Sequence, residues 1–287
     1  MTALLTIEDL VVSYPKKGFR AAPFRALKGV SLDIRPGETM GLVGESGSGK
    51  TTLGRAVLGL APVESGSIRF DGREISGLSR RERRALSSDI QVVFQDPYSS
   101  LNPSMTIGSI LSEPLSARGV SESDARGRVA ELLDDVGLPS DAAQRRARDF
   151  SGGQRQRIAI ARALALEPRL VVCDEPVSAL DLTTQARVLD LFIEIQERTG
   201  VAYLFISHDL SVVRHVSHRV AVMYHGEIVE VGNGDQVTAR PVHPYTQRLF
   251  MAAPVPHPRR QEVRRVERRR LIDAQRTPSE TTSAAAL

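Results

Sequence analysis

Cysteine and long apolar runs are scarce in this sequence. Its 287 residues include one cysteine, Cys173, which excludes an intramolecular disulfide and a zinc site built from several cysteines. The longest apolar runs, such as 170–173 and 201–206, fall far short of the roughly 20 residues that a helix needs to cross a bilayer. The first ten residues include two acidic residues, Glu8 and Asp9, and no basic residue, whereas a signal peptide would have a basic start. We therefore expect a cytoplasmic protein that reaches a membrane only through a partner.

Charge is balanced over most of the chain. Residues 257–287 contain eight Arg and four acidic residues, which leaves 30 basic and 30 acidic residues in the first 256. A nucleic-acid-binding domain usually carries a basic stripe, so the neutral body argues against a nucleic-acid partner. For the arginine-rich tail, residues 259–287, we favour a solvated, partly disordered segment over one that contacts anionic lipid or a neighbouring subunit.

Two kinds of strand-like segment occur in the sequence. Short segments separated by turn residues such as Asp71-Gly72 predict an antiparallel β layer. They lie at Leu5 to Val12, Val30 to Ile34 and Ser67 to Phe70. Four apolar runs without polar alternation predict buried parallel strands that are covered on both faces. These runs are 39–43, 90–94, 170–173 and 203–206. The predicted fold class is therefore α/β, with an added antiparallel layer.

The remaining segments have helical or irregular patterns. Residues 107–165 show helical spacing and no strand pattern, which predicts a helical subdomain over about 96–165. Residues 219–231 have the pattern of two alternating strands around His225-Gly226. Residues 241–258 predict an irregular, proline-rich extension, and we expect the folded domain to end near 258.

A glycine-rich segment, GESGSGKT at 44–51, matches the phosphate-binding pattern G-x-x-x-x-G-K-[ST]. It follows a predicted strand and precedes a helical segment, as the motif requires. The glycines let backbone N–H groups surround phosphates, Lys50 would grip the β and γ phosphates, and Thr51 would ligate Mg²⁺. The predicted nucleotide-binding residues here are Gly44, Glu45, Ser46, Gly47, Ser48, Gly49, Lys50, Thr51 and Thr52. A glycine turn that binds no nucleotide is the less favoured alternative.

Two carboxylates, Asp174 and Glu175, follow the predicted strand 170–173. This position is the carboxyl edge of the sheet, where such folds bind ligands. Asp174 would hold Mg²⁺ through water, and Glu175 would act as the general base on the attacking water. The alternative is a solvated acidic pair, which the phosphate-binding segment makes less favourable.

Residues 150–162, FSGGQRQRIAIAR, resemble the LSGGQ signature of the ABC ATPase family, with Phe150 in place of Leu. The resemblance implies a P-loop NTPase (RecA-like) core with an antiparallel β subdomain and a helical subdomain of the ABC type. It also implies that the signature residues of one subunit cover the nucleotide held by another, so that a dimer encloses two ATP molecules. These signature residues are Ser151, Gly152, Gly153 and Gln154.

Four further positions resemble landmarks of the same family. Gln95 is similar to the glutamine that senses Mg²⁺ and the attacking water, and Asp181 to the aspartate of the D-loop. His208 resembles the switch histidine that contacts the γ-phosphate; a merely structural histidine is the alternative. Tyr14 resembles the aromatic residue that stacks on adenine, and a surface tyrosine is its alternative. The residues predicted to take part in catalysis are Glu175, His208, Gln95 and Lys50.

Three longer phrases resemble the oligopeptide/dipeptide importer branch, and of its two ATPase types the sequence is closer to the F-type subunit. The phrases are QDPYSSLNPSMTIGSILSEPL (95–115), VVCDEPVSALD (171–181) and HPYTQRLFMAAP (243–254). Nickel and glutathione importers share these phrases, so their ATPase subunits remain alternatives, as do a non-transport ABC ATPase and an inactive scaffold. Many members have a C-terminal cysteine cluster; its absence here excludes an iron–sulfur site in the tail.

The resemblance also implies cofactors, partners and location. We expect ATP and Mg²⁺, two permease subunits, a second ABC ATPase subunit in a heterodimer or else a homodimer, and an indirect solute-binding partner outside the cytoplasm. The expected location is the cytoplasmic face of the inner membrane, as a peripheral subunit. The expected domains are an ABC ATPase domain at 1–258, with an importer-type extension from about 233, and the tail 259–287.

Overall fold

Two β-sheets and surrounding helices make up residues 2–15 and 23–252, the parts of the chain that the computed structural model describes. The strands are β1 (Leu5–Tyr14), β2 (Phe24–Ile34), β3 (Thr39–Val43), β4 (Val63–Phe70), β5 (Arg73–Glu74), β6 (Ile90–Val93), β7 (Leu170–Asp174), β8 (Ala202–Ile206), β9 (Arg219–Tyr224) and β10 (Glu227–Asn233). The α-helices are α1 (Lys50–Val57), α2 (Arg80–Leu86), α3 (Pro97–Ser100), α4 (Ile107–Ala117), α5 (Glu122–Asp135), α6 (Gly152–Leu164), α7 (Leu182–Thr199), α8 (Leu210–Val216), α9 (Gly234–Ala239) and α10 (Pro244–Ala252). Two short 3-10 helices lie at Ser140–Gln144 and Ala147–Asp149.

The smaller sheet has the strand order β2-β1-β4-β5 and is antiparallel throughout. Its β4–β5 turn uses Asp71 and Gly72, with φ angles of 50° and 76°. Positive φ at both central residues gives a tight turn whose twist matches that of the flanking strands. The structure therefore confirms the predicted antiparallel layer and its turn.

The larger sheet has the order β10-β9-β3-β8-β7-β6, in which β9, β3, β8, β7 and β6 run parallel. Every residue of β3 and β8 is buried, because helices and the smaller sheet cover the two faces. The four predicted parallel strands are confirmed, with one correction. β6 is the edge strand and ends at Val93, whereas Phe94 lies beyond it and is 42% exposed.

β9 differs from its predicted pattern. It was expected to alternate between buried and exposed residues, but positions 220–223 are all buried. Val220 and Val222 pack with α8, α9 and α10, whereas Ala221 and Met223 belong to the core shared with the smaller sheet. The prediction was wrong because it did not anticipate that β9 joins β3 inside the sheet, where both faces are covered.

Between β6 and β7 the described chain is helical. α3 to α6 and the two 3-10 helices occupy this stretch, and their apolar residues share one core with Val171 of β7 and Phe205 of β8. Ser and Thr side chains begin the helices: Thr106 accepts a hydrogen bond from the N–H of Ser109, and Ser121 from that of Asp124. The helical content agrees with the sequence, and the division into subdomains stays a prediction.

The segment after β10 was expected to be irregular but contains the helix α10. Pro244 opens it, and proline suits the first helical position because no N–H is needed there. The Glu230 carboxylate accepts hydrogen bonds from the N–H groups of Val242 and His243, at 2.8 and 2.9 Å. The expectation was wrong because Glu230, which lies in β10, holds the backbone just before the helix, and the pattern of residues 241–258 does not include it. The predicted domain end at 258 and the tail lie outside the described residues, and none of the described helices combines the length and apolarity needed to cross a membrane.

Candidate nucleotide site

The segment 44–49 connects the buried strand β3 to the start of α1. Gly49 has φ 109°, and a Cβ at this position would lie 2.9 Å from the carbonyl oxygen of Ala26. Only glycine fits this backbone without displacing its neighbour. The loop therefore turns directly into the start of α1, where the first N–H groups of a helix have no partner within the helix, an arrangement that suits phosphate.

Ser48 lies at the buried side of this loop. Its carbonyl oxygen accepts a hydrogen bond from the N–H of Gly226, in the β9–β10 turn, at 2.9 Å. Its hydroxyl is buried and has no hydrogen-bond partner among the described residues. A buried hydroxyl without a partner is uncommon, and a polar ligand in the loop fits this observation.

Lys50 points back into the loop. Its Nζ donates to the carbonyl oxygens of Gly44 and Glu45, at 2.8 and 2.9 Å. Burial lowers the pKa of Lys50, and the carboxylates of Glu175 and Asp174 oppose this effect. Among the described residues, the direct partners of the ammonium are these two carbonyl oxygens, which phosphate oxygens can replace.

Thr51 and Asp174 bring two oxygen ligands together. The Thr51 hydroxyl donates to Oδ1 of Asp174 at 3.0 Å. Burial raises the pKa of Asp174, whereas the hydrogen bond from Thr51 lowers it. A hydroxyl and a partly desolvated carboxylate are the oxygen donors that Mg²⁺ prefers, so these residues fit the predicted metal.

Glu175 connects the remaining predicted catalytic side chains. Its Oε2 lies 3.0 Å from Nδ1 of His208 and accepts a hydrogen bond from Nε2 of Gln95 at 3.4 Å. Glu175 has φ 49°, and its N–H donates to the carbonyl of Ile206 at 3.0 Å. A non-glycine residue at positive φ is strained and persists only where the surroundings hold it. The ends of β6, β7 and β8 thus bring three separate sequence predictions together.

The signature residues lie apart from this cluster. Ser151 begins α6 and forms a reciprocal capping box with Gln154. A Cβ on Gly153 would overlap Cγ2 of Thr184 in α7, so the two helices touch through a glycine. A cleft of about 220 Å³ beside them is lined by Ser151, Gly153, Gln154, Arg157, Thr184, Arg187 and Val188. No residue of the 44–52 segment lines this cleft.

Asp181 and Tyr14 also lie outside the cluster. Oδ1 of Asp181 accepts hydrogen bonds from the N–H groups of Thr183 and Thr184, and Oδ2 accepts one from the Thr184 hydroxyl at 2.6 Å. Asp181 is therefore the cap of α7, and the hydrogen bond from Thr184 lowers its pKa. Tyr14 is half-buried at the end of β1, opposite Phe24. Contact of either residue with nucleotide stays a prediction.

Sequence reasoning missed two residues of this region. Tyr245, in α10, accepts a hydrogen bond from the N–H of Glu45 in the loop, and Thr184 packs on Gly153. In the sequence, Tyr245 stands out only as part of the phrase HPYTQRLFMAAP, which resembles the importer branch. The signal available in the sequence was an aromatic residue directly after a proline, and this pattern does not indicate a contact with Glu45, 200 residues earlier in the chain.

A parallel sheet whose central strand leads through a glycine-rich loop into a helix, beside paired carboxylates, defines a P-loop nucleotide-binding protein. More narrowly, the chain belongs to the ABC transporter family, whose family model matches residues 27–178, more than half of the chain.

Two curated relatives are similar over most of this chain. The oligopeptide transport ATP-binding protein OppD of Mycobacterium tuberculosis is 52% identical over 236 residues, which are 82% of this chain and 39% of the relative. The glutathione import ATP-binding protein GsiA of Escherichia coli is 50% identical over 268 residues, 92% of this chain and 43% of the relative. The chain thus spans about two-fifths of the length of these relatives. The F-type assignment is wrong, because the peptide-transport relatives to which this chain is similar are OppD proteins.

Solved structures agree on the fold. CbiO1 of Clostridium perfringens, part of the ABC transporter complex CbiONQ, has a TM-score of 0.75 and 29% identity, covering 84% of this chain and 92% of that one. A dimeric post-hydrolysis state of the ATP-binding cassette MJ0796, bound to ADP and phosphate, has a TM-score of 0.71 and 30% identity. The match covers 80% of this chain and 98% of that one. The predicted P-loop core with its added sheet and helices is confirmed by these likenesses.

Proposed function

We propose that this chain is the ATP-binding and ATP-hydrolysing subunit of an ABC importer that takes up oligopeptides or dipeptides through separate permease subunits. The observation that carries the ATPase proposal is the cluster around Glu175. A carboxylate that contacts His208 and Gln95 stands one residue from Asp174, which is hydrogen-bonded to Thr51 beside Lys50. Family membership supports the same activity.

Phosphate binding would fall to the 44–52 segment. The loop N–H groups and the start of α1 attract anions, and Lys50 exchanges its two carbonyl partners for phosphate oxygens. Thr51 and Asp174 would hold Mg²⁺, with Gln95 nearby; the metal supplies positive charge that neutralises the phosphates. Tyr14, at the end of β1, would stack on adenine.

Hydrolysis needs a group that orients and deprotonates water. Glu175 takes this role: its carboxylate is mostly enclosed and is held by two neighbours. His208 orients Oε2 of Glu175 and is itself exposed enough to meet the γ-phosphate. Gln95 follows the edge strand β6, so its loop can move without disturbing the sheet.

Assembly completes the site. The signature residues line a cleft of their own, so they would cover the nucleotide of a second ATPase subunit, next to Asp181 of the D-loop. The dimeric state of MJ0796 bound to ADP and phosphate supports the proposal of a dimer. The second subunit is another ABC ATPase in a heterodimer, or a copy of this chain in a homodimer.

Transport would require partner subunits. Two permease subunits would receive the movement through residues near Gln95, which places the ATPase on the cytoplasmic face of the inner membrane. An extracytoplasmic solute-binding protein would deliver the solute without touching this chain. The arginine-rich tail is proposed to be solvated.

Glutathione is the second candidate solute. The 50% identity to GsiA extends over 92% of this chain, a longer match than the one to OppD. Nickel import and a non-transport role have no such observation behind them.

Activity is tested first on the purified chain. Phosphate release from Mg-ATP is measured for the wild type and for Glu175→Gln, with EDTA as a further control. We expect wild-type turnover that both EDTA and the substitution abolish. Turnover that survives the substitution would remove Glu175 from its role, and a wild type that neither binds nor hydrolyses ATP would overturn the proposal.

The solute is tested in cells from which the gene is deleted. Uptake of radiolabelled trialanine and of radiolabelled glutathione is compared after complementation with the wild type or with Glu175→Gln. We expect the wild type alone to restore trialanine uptake. Restoration of glutathione uptake without trialanine uptake would assign the chain to the second candidate.

A further inference from the structure

The last described helix, α10, contacts the phosphate-binding loop through one hydroxyl. The N–H of Glu45 donates to the hydroxyl oxygen of Tyr245 at 3.0 Å. Tyr245 is only 3% exposed, and burial raises the pKa of its phenol, so the hydroxyl stays protonated at neutral pH. A segment 200 residues away therefore touches the second residue of the loop.

Tyr245 is held by a contact of its ring and by a hydrogen bond of its backbone. Its centroid lies 4.0 Å from that of Tyr224, at the end of β9. Its own N–H donates to Nδ1 of His243 at 3.2 Å. The N–H groups of Val242 and His243 are in turn fixed by the Glu230 carboxylate. The hydroxyl is thus presented from a frame built on β9 and β10 and does not depend on the loop for its position.

The peptide groups of Glu45 are held from both ends. Its N–H is bound by Tyr245, and its carbonyl oxygen accepts from Nζ of Lys50 at 2.9 Å and from the N–H of Ser48 at 3.1 Å. Phosphate binding requires Lys50 to leave this carbonyl. Among the described residues, the hydrogen bond that the Glu45 N–H donates to Tyr245 is then the side-chain contact that still fixes the Glu45 backbone.

From this arrangement, we propose that Tyr245 is a positioning residue for the nucleotide site, which keeps the phosphate-binding loop in its binding conformation through the N–H of Glu45. The proposal rests on the proposed function. A loop that is already ordered loses less entropy when it binds phosphate, so loss of the hydroxyl should weaken affinity for ATP and leave the chemical step nearly unchanged.

Tyr245→Phe is the variant that tests this role, because it keeps the ring on Tyr224 and removes only the hydroxyl. Tyr203→Phe is the matched control: its hydroxyl in β8 is also buried, yet it has no hydrogen-bond partner among the described residues. Calorimetry with ATP in EDTA gives the Kd, and steady-state assays with Mg-ATP separate KM from kcat.

For Tyr245→Phe we expect a five- to tenfold weaker Kd and a matching rise in KM, about 1.0–1.4 kcal/mol by the tenfold-per-1.4 kcal/mol conversion. kcat should change less than twofold, and Tyr203→Phe should bind like the wild type. An unchanged Kd in Tyr245→Phe, or an equal loss in both variants, would overturn the proposal.

Hydrogen exchange of the peptide that spans 44–50, measured without nucleotide, separates this proposal from the proposed function. Faster exchange in Tyr245→Phe than in Tyr203→Phe is the expected result, and equal rates would overturn the positioning role. A wild-type chain that fails to bind ATP would overturn the function, while the exchange rates would still decide whether Tyr245 holds the loop.

Discussion

Nδ1 of His208 lies 3.0 Å from Oε2 of Glu175. The two residues follow the neighbouring parallel strands β8 and β7, whose carboxyl ends meet at one edge of the sheet. Positive φ at Glu175 turns its carboxylate toward this edge. The contact therefore comes from the strand order, with both His208 and Gln95 on the same carboxylate oxygen of Glu175.

Glu175→Gln should abolish hydrolysis and retain ATP binding. The amide keeps the size of the side chain and cannot accept a proton, so we expect kcat to fall at least about 100-fold. Phosphate release and calorimetry with ATP measure the two effects. Glu131→Gln, on the exposed side of α5, is the control. Loss of binding together with turnover would indicate that the carboxylate holds the site together and does not act as the base.

Lys50→Ala should abolish ATP binding without unfolding the chain. Within the described residues its ammonium donates to two loop carbonyls and forms no ion pair within 4 Å, so its removal should leave the fold in place. Calorimetry and thermal melting are the measurements. Lys28→Ala removes an exposed lysine elsewhere and should leave binding intact. Wild-type affinity in Lys50→Ala would exclude Lys50 from the nucleotide site.

Gly153→Ala should displace the start of α6, because the new methyl group would overlap Cγ2 of Thr184. We expect a loss of about 1–3 kcal/mol in the free energy of unfolding, as for other overpacked contacts. Thr184→Ser removes that methyl group and keeps the hydroxyl that donates to Asp181, so adding it to Gly153→Ala should recover most of the loss.

The control for this pair is Gly127→Ala. Gly127 is exposed in α5, and a Cβ there meets no atom within 4 Å. Alanine should therefore raise stability by about 0.5–1 kcal/mol. Urea unfolding of the four variants measures each value. Additive losses in the double variant would mean that the glycine is not required by its contact with Thr184.

Asp33→Asn should lower stability at neutral pH and have no effect in strong acid. Arg219 donates to both oxygens of Asp33, at 3.0 and 3.1 Å. These hydrogen bonds lower the pKa of Asp33 below its ordinary 3.8, with a smaller contribution from Arg35. Glu38 also accepts from Arg219. The pair joins β2 of the smaller sheet to β9 of the larger one.

A lowered pKa means that this stabilisation is complete above pH 3.8 and is lost as the pH falls through the folded-state value below it. Because Asp33 is partly exposed, we expect a loss of about 1 kcal/mol at pH 7 in Asp33→Asn. Urea unfolding at pH 7 and at pH 2.5 measures the difference. Asp141→Asn, which changes an exposed carboxylate, should have little effect. An equal loss at both pH values would exclude the charge of Asp33 as its cause.

Local patterns predicted much of this molecule. The apolar runs of β3, β7 and β8 predicted strands buried on both faces, because a parallel strand in such a sheet has no solvent-facing side. Asp71-Gly72 predicted a turn because those two residues tolerate positive φ. The 44–51 segment predicted a phosphate-binding loop because its motif and the positive φ of Gly44, Gly47 and Gly49 are local features.

Other features depended on the tertiary contacts that each segment makes. β9 was predicted to alternate, yet its residues 220–223 are all buried because the smaller sheet covers one face and α8 to α10 cover the other. Residues 244–252 are rich in polar and aromatic residues without a clear period, and they form a helix whose preceding residues, Val242 and His243, are held by Glu230. The contact of Gly153 with Thr184 likewise requires two helices whose packing no local pattern describes.

The sequence by itself determined the residue types of the site: a glycine-rich loop with Lys50 and Thr51, two carboxylates after a strand, and a histidine after another. Only the tertiary structure decided that His208 meets Glu175, that Thr51 meets Asp174, and that Tyr245 binds the loop through Glu45. Local backbone preferences act over a few residues, so they can be inferred directly from the sequence. Contacts between distant segments depend on strand order and on which faces are covered, and many different sequences satisfy the same packing.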